Sequence, residues 1–249
     1  MKVTISSMTL PPAPSRPRSY NVEDQERMTR ATNYFAWQAK LVTPELGQRV
    51  VEIGCGTGNF TGALLDRETV IAVDVDADCI ERLARRYRDR ENLHSVVADA
   101  AELGLEQLMS YRPDSCACLN VLEHIEDDRG ALQRIASVLP SRGVIVLIVP
   151  AFESLYGPID RNLGHCRRYS RESIRKLAQA SGVTIKRLRY MNFVGFFGWW
   201  LNAHVLHRDR QSEKQIEFFD RFIVPALSRI EAIVPPPFGQ SLFVVLEKP

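Results

Sequence analysis

The sequence predicts an α/β fold: a doubly wound, mainly parallel sheet with helical and aromatic-rich cap elements. Three observations predict it. Short apolar runs of strand length alternate with segments of helical period from residue 49 to about residue 150. The first of these runs breaks directly into a turn with glycine at alternate positions, Gly54, Gly56 and Gly58. After Pro150 the texture changes to a polar, arginine-rich loop, then an aromatic insertion and a closing strand-like run.

Taken in order, Met1 to Ser19 carries four prolines among serines and arginines and reads as a disordered extension. It has no basic segment followed by an apolar run, so no secretory signal is expected. Met28, Ala31, Phe35, Ala39 and Val42 recur at helical spacing, and Pro44 with Gly47 punctuates the end of that helix. Arg49 to Ile53 reads as a strand, and strand, tight turn, helix is the unit implied by the glycines that follow. Further strands are expected at Thr69 to Val73, His94 to Ala98, Ser115 to Leu119 and Gly143 to Val149. Helices are expected from Ala77 to Arg88 and around Leu132, Ile135, Ala136 and Leu139. Strands this apolar, separated by helices, describe a parallel sheet covered on both faces. Beyond it come a polar loop from Ala151 to Tyr169, a helix capped by Ser170, and a strand from Val183 to Tyr190. The aromatic insertion starting at Phe193 follows, then a helical stretch with Ile216, Phe219, Phe222 and Ile223, and a final strand from Ser241.

Composition sets the class. Hydrophobic residues at 45% and charged residues at 25% of 249 are those of a soluble globular chain, one enlarged domain over residues 20–249. A net charge of +2 argues against a nucleic-acid partner, and the cluster Arg82, Arg85, Arg86, Arg88 and Arg90 reads as a solvated helix face. Five cysteines, an odd number without paired CxxC spacing, fit a reducing cytoplasm. The longest apolar stretch, Phe193 to Leu201, is far below the roughly 20 residues of a membrane-spanning helix.

Glu52-Ile-Gly54-Cys-Gly56-Thr-Gly58 is the strongest local signal. Glycine at alternate positions lets the backbone turn sharply and approach a ligand closely. The spacing differs from the GxGxxG of dinucleotide binding, and no Lys-Ser/Thr pair follows as in a P-loop. Val51 to Gly58 resembles motif I of the class I S-adenosylmethionine-dependent methyltransferases. That resemblance, which covers roughly Arg49 to Ala151, implies a Rossmann-like sheet with an antiparallel C-terminal strand. It further implies a cofactor-binding core over about 49–151 and acceptor-side elements over about 20–45 and 152–235. It implies that Glu52, Gly54, Gly56 and Gly58 form the cofactor loop and that Asp74, 22 residues after Glu52, accepts the ribose hydroxyls. Asp99, beside Ala100, takes the place of an acid that accepts the adenine amino group. Leu119-Asn120-Val-Leu-Glu123-His124 resembles the segment that closes over the cofactor. Leu155 to Asp160, Gly164 to Tyr169 and Pro237 to Leu242 resemble elements of a bacterial small-molecule branch.

The sulfonium methyl is already activated, so alignment supplies most of the rate, and a base helps if the acceptor is a hydroxyl. His124 and His165 are the catalytic candidates; Glu123 and His124 alternatively brace the following helix, and His165 alternatively is a plain loop residue. Some branches of the superfamily, including ubiquinone-pathway O-methyltransferases, resemble Glu-x-x-Glu-His with a later His that hold a divalent metal. Asn120 departs from that pattern at its first ligand, and no metal is expected here. Arg161, Arg167 and Arg168 either recognise an acceptor anion or are surface charge. His204 and His207 read as surface residues. Phe193, Phe196, Phe197, Trp199 and Trp200 form a wall for an apolar acceptor, or pack internally, or make a peripheral membrane or dimer contact. Tyr20, Tyr34 and Trp37 are placed to cover the same pocket. The expected function is methyl transfer to oxygen, less readily nitrogen, of a hydrophobic small molecule in secondary metabolism. The competing reading is a fold that binds the cofactor for cyclisation or decarboxylation. Hydride transfer with a nicotinamide cofactor is disfavoured by the glycine spacing.

Overall fold

The structure, a computed structural model, describes residues 22–102, 104–210 and 212–249. The expected disordered extension, 1–19, and Tyr20 lie outside the described residues. Seven strands, β1 (Arg49–Ile53), β2 (Thr69–Asp74), β3 (Leu93–Val97), β4 (Ser115–Leu119), β5 (Val144–Pro150), β6 (Thr184–Met191) and β7 (Ser241–Glu247), form one sheet in the order β3-β2-β1-β4-β5-β7-β6. The first five pair in parallel, whereas β7 inserts antiparallel between β5 and β6 with Pro150 opposite Ser241. The fold is therefore the Rossmann-like one expected. Because the chain runs outward from β1 to β3 and then returns to lay β4 on the other side of β1, the switch point falls between β1 and β4. In open sheets of this kind ligands bind there, beyond the carboxyl ends of the strands.

The strands are apolar on both faces because both are covered. Alternate residues Val51, Ile71, Cys116 and Ile145 pack with Leu132 and Ile135 of α4 (Asp128–Ser137) and Ile174 of α6 (Arg171–Ala180). The intervening residues Val50, Val70, Ala117 and Val146 pack with Trp37 and Val42 of α2 (Thr32–Val42) and Leu227 of α9 (Val224–Ile233). α3 (Ala77–Arg86), capped by the Asp76 carboxylate, follows β2 as expected.

Four segments depart from the sequence reading. The helix expected from Met28 onward is two, α1 (Val22–Met28) and α2, broken at Thr29 to Ala31. The amides of Asn33 and Tyr34 at the start of α2 donate to the Asp220 carboxylate at 3.1 and 2.8 Å, so the break is stabilised from a distant element. The helix expected after the glycine loop is only a 3-10 turn, Thr61–Leu64, in a stretch where Gly58 and Gly62 disfavour helix and the Thr61 hydroxyl is held by Glu52. The polar loop contains a short helix, α5 (Pro158–Asn162). The aromatic insertion is itself helical, α7 (Phe193–His204), started by the Asn192 side chain accepting from the Gly195 amide. The stretch around Phe219 is α8 (Glu213–Phe218), a π turn at Phe219–Ile223 and α9. Among the described residues no helix is long and apolar enough to cross a membrane.

Candidate active site

The cofactor-side residues all lie at the carboxyl ends of β1 to β4. Gly54, Gly56 and Gly58 have φ of +74°, +54° and +87°. Such angles are open to glycine without steric cost, and the turn they make lets the Gly54 and Cys55 amides both donate to Val73 O, at 2.8 and 3.0 Å. A Cβ at Gly54 would run into the Val121 side chain, and one at Gly56 into Gln25 of α1. Asp74 ends β2 and secures the loop: its carboxylate accepts from the Gly56 amide at 2.8 Å and the Asp76 amide at 2.9 Å. Burial nevertheless raises its pKa, outweighing those amide bonds. Glu52 sits beneath the loop, 4% exposed, and accepts from Thr61 Oγ1 at 2.6 Å. Burial pushes its carboxyl up to about 8. Asp99 lies two residues past the end of β3 and turns its own loop by accepting from the Ala101 amide at 2.7 Å; Ala100 beside it is buried. Asn120 follows β4 with φ of +55°, its amide bonded to Ile148 O at 2.7 Å.

The chemistry-bearing cluster adjoins Asn120. Glu123 and His124 form a short 3-10 turn after β4, and His165 arrives from the loop after α5. The His124 and His165 rings stand 4.7 Å apart, edge to face. Glu123, His124 and His165 each bring a ligand-type atom within 4.8 Å of the others. Both Glu123 carboxylate oxygens are buried without a hydrogen-bond partner. Burial raises that carboxyl to about 7 although His165 and Arg168 pull the other way. Burial, then the neighbouring His165, lowers His124 to about 3, so its ring is neutral. The set is chemically able to take protons from an acceptor or to hold a divalent cation through one carboxylate and two imidazoles.

His165 is held by a buried hub that sequence reasoning did not find. Asp160, fully buried on α5, accepts from His165 Nδ1 and Arg168 Nε, each at 2.8 Å, and from the Gly157 amide at 3.0 Å and Trp199 Nε1 at 3.2 Å. Burial alone would raise its pKa, but the His165 hydrogen bond and the Arg168 charge hold it below the usual carboxylate range. With Nδ1–H donated to a carboxylate, the other ring nitrogen of His165, Nε2, is the one left to meet an acceptor. Arg168 stacks over the Trp199 ring at 4.6 Å.

This corrects two readings of the polar loop. Arg168 is 4% exposed and committed to Asp160, so it is neither surface charge nor an anion receptor. Arg167 pairs with Asp128 at 2.8 Å, and Arg161 alone of the three is exposed. His204 ends α7 with Nε2 2.7 Å from Ser154 O, while His207 lies beyond the helix. Of the aromatic group, Trp199 is buried and Phe197 and Trp200 are about half exposed. Phe193, Phe196 and Phe197 close with Phe238 at ring separations of 4.7 to 5.9 Å, and Phe152 joins Phe196 at 5.4 Å. Trp37 is core, whereas the Tyr34 hydroxyl, pushed up to about 12 by burial, also feels the Glu231 and Glu123 carboxylates.

Comparison with known proteins bears on the family and the fold. A family model described as a methyltransferase domain matches residues 20–188. A ribosomal RNA small subunit methyltransferase A of Cupriavidus taiwanensis is 38% identical over 68 residues, 27% of this chain and 24% of that protein. A ubiquinone biosynthesis O-methyltransferase of Ralstonia nicotianae is 30% identical over 104 residues, 40% of this chain and 42% of that protein. The match thus spans less than half the length of either relative. Among solved structures, the N-methyltransferase NodS of Bradyrhizobium japonicum, bound to S-adenosyl-L-homocysteine, superposes with a TM-score of 0.54 at 16% identity over 91% of this chain and 87% of that one. The [4+2]-cyclase SpnF superposes with a TM-score of 0.56 at 19% identity over 90% of this chain and 82% of that one. At such identities the likeness is one of fold.

Proposed function

Because this chain belongs to the class I S-adenosylmethionine-dependent methyltransferases, we propose that it methylates an oxygen, less readily a nitrogen, of a hydrophobic small molecule. The observation that carries this reading is the gathering of Glu123, His124 and His165 just past the carboxyl end of β4, at the switch point of the sheet. A hydroxyl must lose its proton as it attacks, and these side chains supply acceptors for it. His165 Nε2, aimed by Asp160, takes the proton; His124 stays neutral and seats the acceptor. The aromatic cluster of Phe152, Phe193, Phe196 and Phe238 fits an apolar acceptor body. On the cofactor side, Asp74 spends two of its roughly four lone-pair positions on Gly56 and Asp76 and offers the others to the ribose hydroxyls. Asp99 and Ala100 take the adenine, Gly54, Gly56, Gly58 and Asn120 line the methionine and ribose, and Glu52 braces the loop from below.

The test is formation of S-adenosylhomocysteine across a panel of hydrophobic alcohols, phenols and amines. His165→Ala should lower turnover by roughly a hundredfold or more while leaving S-adenosylhomocysteine affinity unchanged. Acceptor consumed without S-adenosylhomocysteine would instead support cyclisation or decarboxylation, an activity class that this fold hosts in SpnF.

A second reading is favoured by the Glu123 carboxyl group, both of whose buried oxygens lack a hydrogen-bond partner. Glu123, His124 and His165 would hold a divalent cation, which when bound would lower the pKa of an acceptor hydroxyl. Calorimetric titration with Zn²⁺, Mn²⁺ and Mg²⁺ decides it: heat that disappears in Glu123→Gln supports a metal, and no heat with any ion removes it.

A further inference from the structure

The run from Glu213 to Ile233 is helical throughout, α8 passing through the π turn into α9. Its inner side meets the core through Val224 and Leu227. Its outer side carries Phe218, Phe222, Ile230 and Ile233, exposed by 60, 59, 61 and 82%. Steps of four, eight and three residues keep these on one side of a helix, and the Phe218 and Phe222 rings lie 5.2 Å apart. Scattered exposed apolar residues need no cause, but a row along one helix does.

The charges of the run are sorted. Its acids are withdrawn from the row: Glu213 and Glu217 pair with Arg30, Asp220 caps α2, and the Glu231 carboxylate accepts from the amides of Asn192 and Phe193. Arg221 and Arg229 remain beside the row, with no carboxylate partner among the described residues. Arg221 lies over the Phe222 ring at 5.4 Å. An apolar row bordered by arginines is the pattern of a helix lying in the headgroup boundary of an anionic bilayer. A second copy fits less well, because a two-fold contact along this row would bring two sets of arginines together.

We propose that the α8–α9 face docks on an anionic lipid surface, with Phe218 and Phe222 inserted and Arg221 and Arg229 at the phosphates. The Glu231 bonds tie α9 to the start of α7 and its aromatic cluster, so an apolar acceptor would reach that cluster from the lipid side. The docking surface stands whether or not methyl transfer is the reaction.

The test is co-sedimentation of the full chain with phosphatidylcholine vesicles and with mixed phosphatidylcholine and phosphatidylglycerol vesicles. The wild-type protein should bind the mixed vesicles preferentially. Phe218→Ser with Phe222→Ser should weaken binding by at least about tenfold. Arg221→Gln with Arg229→Gln should weaken it by about thirtyfold and abolish the preference for anionic lipid. All four positions are exposed, and circular dichroism checks that the variants fold. No binding to either vesicle, or binding indifferent to the Phe substitutions, overturns the proposal. So does a concentration-dependent dimer, seen by sedimentation equilibrium, that the same Phe substitutions break.

Discussion

Replacing Asp160 by asparagine changes one atom type and nothing in size, yet it should be among the most damaging single changes in the molecule. All four partners of this carboxylate are donors: His165 Nδ1 and Arg168 Nε on Oδ1, the Gly157 amide and Trp199 Nε1 on Oδ2. An amide has one acceptor oxygen, so either orientation turns its two hydrogens against two donors. Arg168, 4% exposed, is left as a buried cation without its ion-pair partner. Breaking a buried pair in this way costs about 3–5 kcal/mol. In a chain of this size each kcal/mol lowers the melting temperature by about 2–4 °C, so a fall of roughly 10 °C is expected. Thermal and denaturant unfolding measure it. Turnover should fall further than stability accounts for, because the His165 tautomer is no longer imposed. A variant within about 1 kcal/mol of wild type, equally active, would refute the hub as described.

Asp74→Ala should weaken S-adenosylhomocysteine binding by at least about a hundredfold, the loss of two hydrogen bonds to a charged acceptor, with the far-ultraviolet circular dichroism unchanged. Near wild-type affinity in calorimetry would remove the ribose assignment. Glu52, pushed up to about 8 from 4.5, binds its proton more tightly in the folded state. Its contribution is therefore complete below pH 4.5 and is lost as pH rises towards and through 8. Glu52→Gln should flatten that decline in denaturant unfolding across the window, and identical profiles would count against it. Gly54→Ala places a side chain at φ of +74° and against Val121, and should cost about 1–3 kcal/mol together with most cofactor affinity; full stability would show that the loop tolerates the change.

What could be read from sequence followed from whether the determining contacts are local. β4 was expected at Ser115 to Leu119 and is found there, because an apolar run bounded by Asp114 and Asn120 specifies its own ends. The placement of Gly54 to Gly58, Asp74, Asp99 and Asn120 at strand ends was legible for a related reason: each lies within a few consecutive residues that close an apolar run. The break between α1 and α2 was not, since the carboxylate that caps α2 is Asp220, 187 residues from Asn33. Nor was the helical character of residues 193–204, whose first amides depend on Asn192 and on Glu231. At the site, His124 and His165 were singled out as residues, but the hub behind them was not. A guanidinium in a polar loop looks the same in sequence whether it faces water or a buried aspartate, and Trp199 reaches Asp160 across 39 residues.

The pairing of Pro150 with Ser241 has a further consequence. Everything between them, including α5 to α9 and β6, leaves the sheet edge at β5 and returns to the neighbouring position on the same edge. The excursion has its two ends clamped to one another by the β5–β7 ladder. It is still bound into the rest of the molecule, because Ile174 and Leu227 cover the two faces of the sheet and Asp220 caps α2. The other side of that arrangement is kinetic: β6 has no neighbour in the sheet until β7 inserts beside β5, so the long loop must close before β6 is paired.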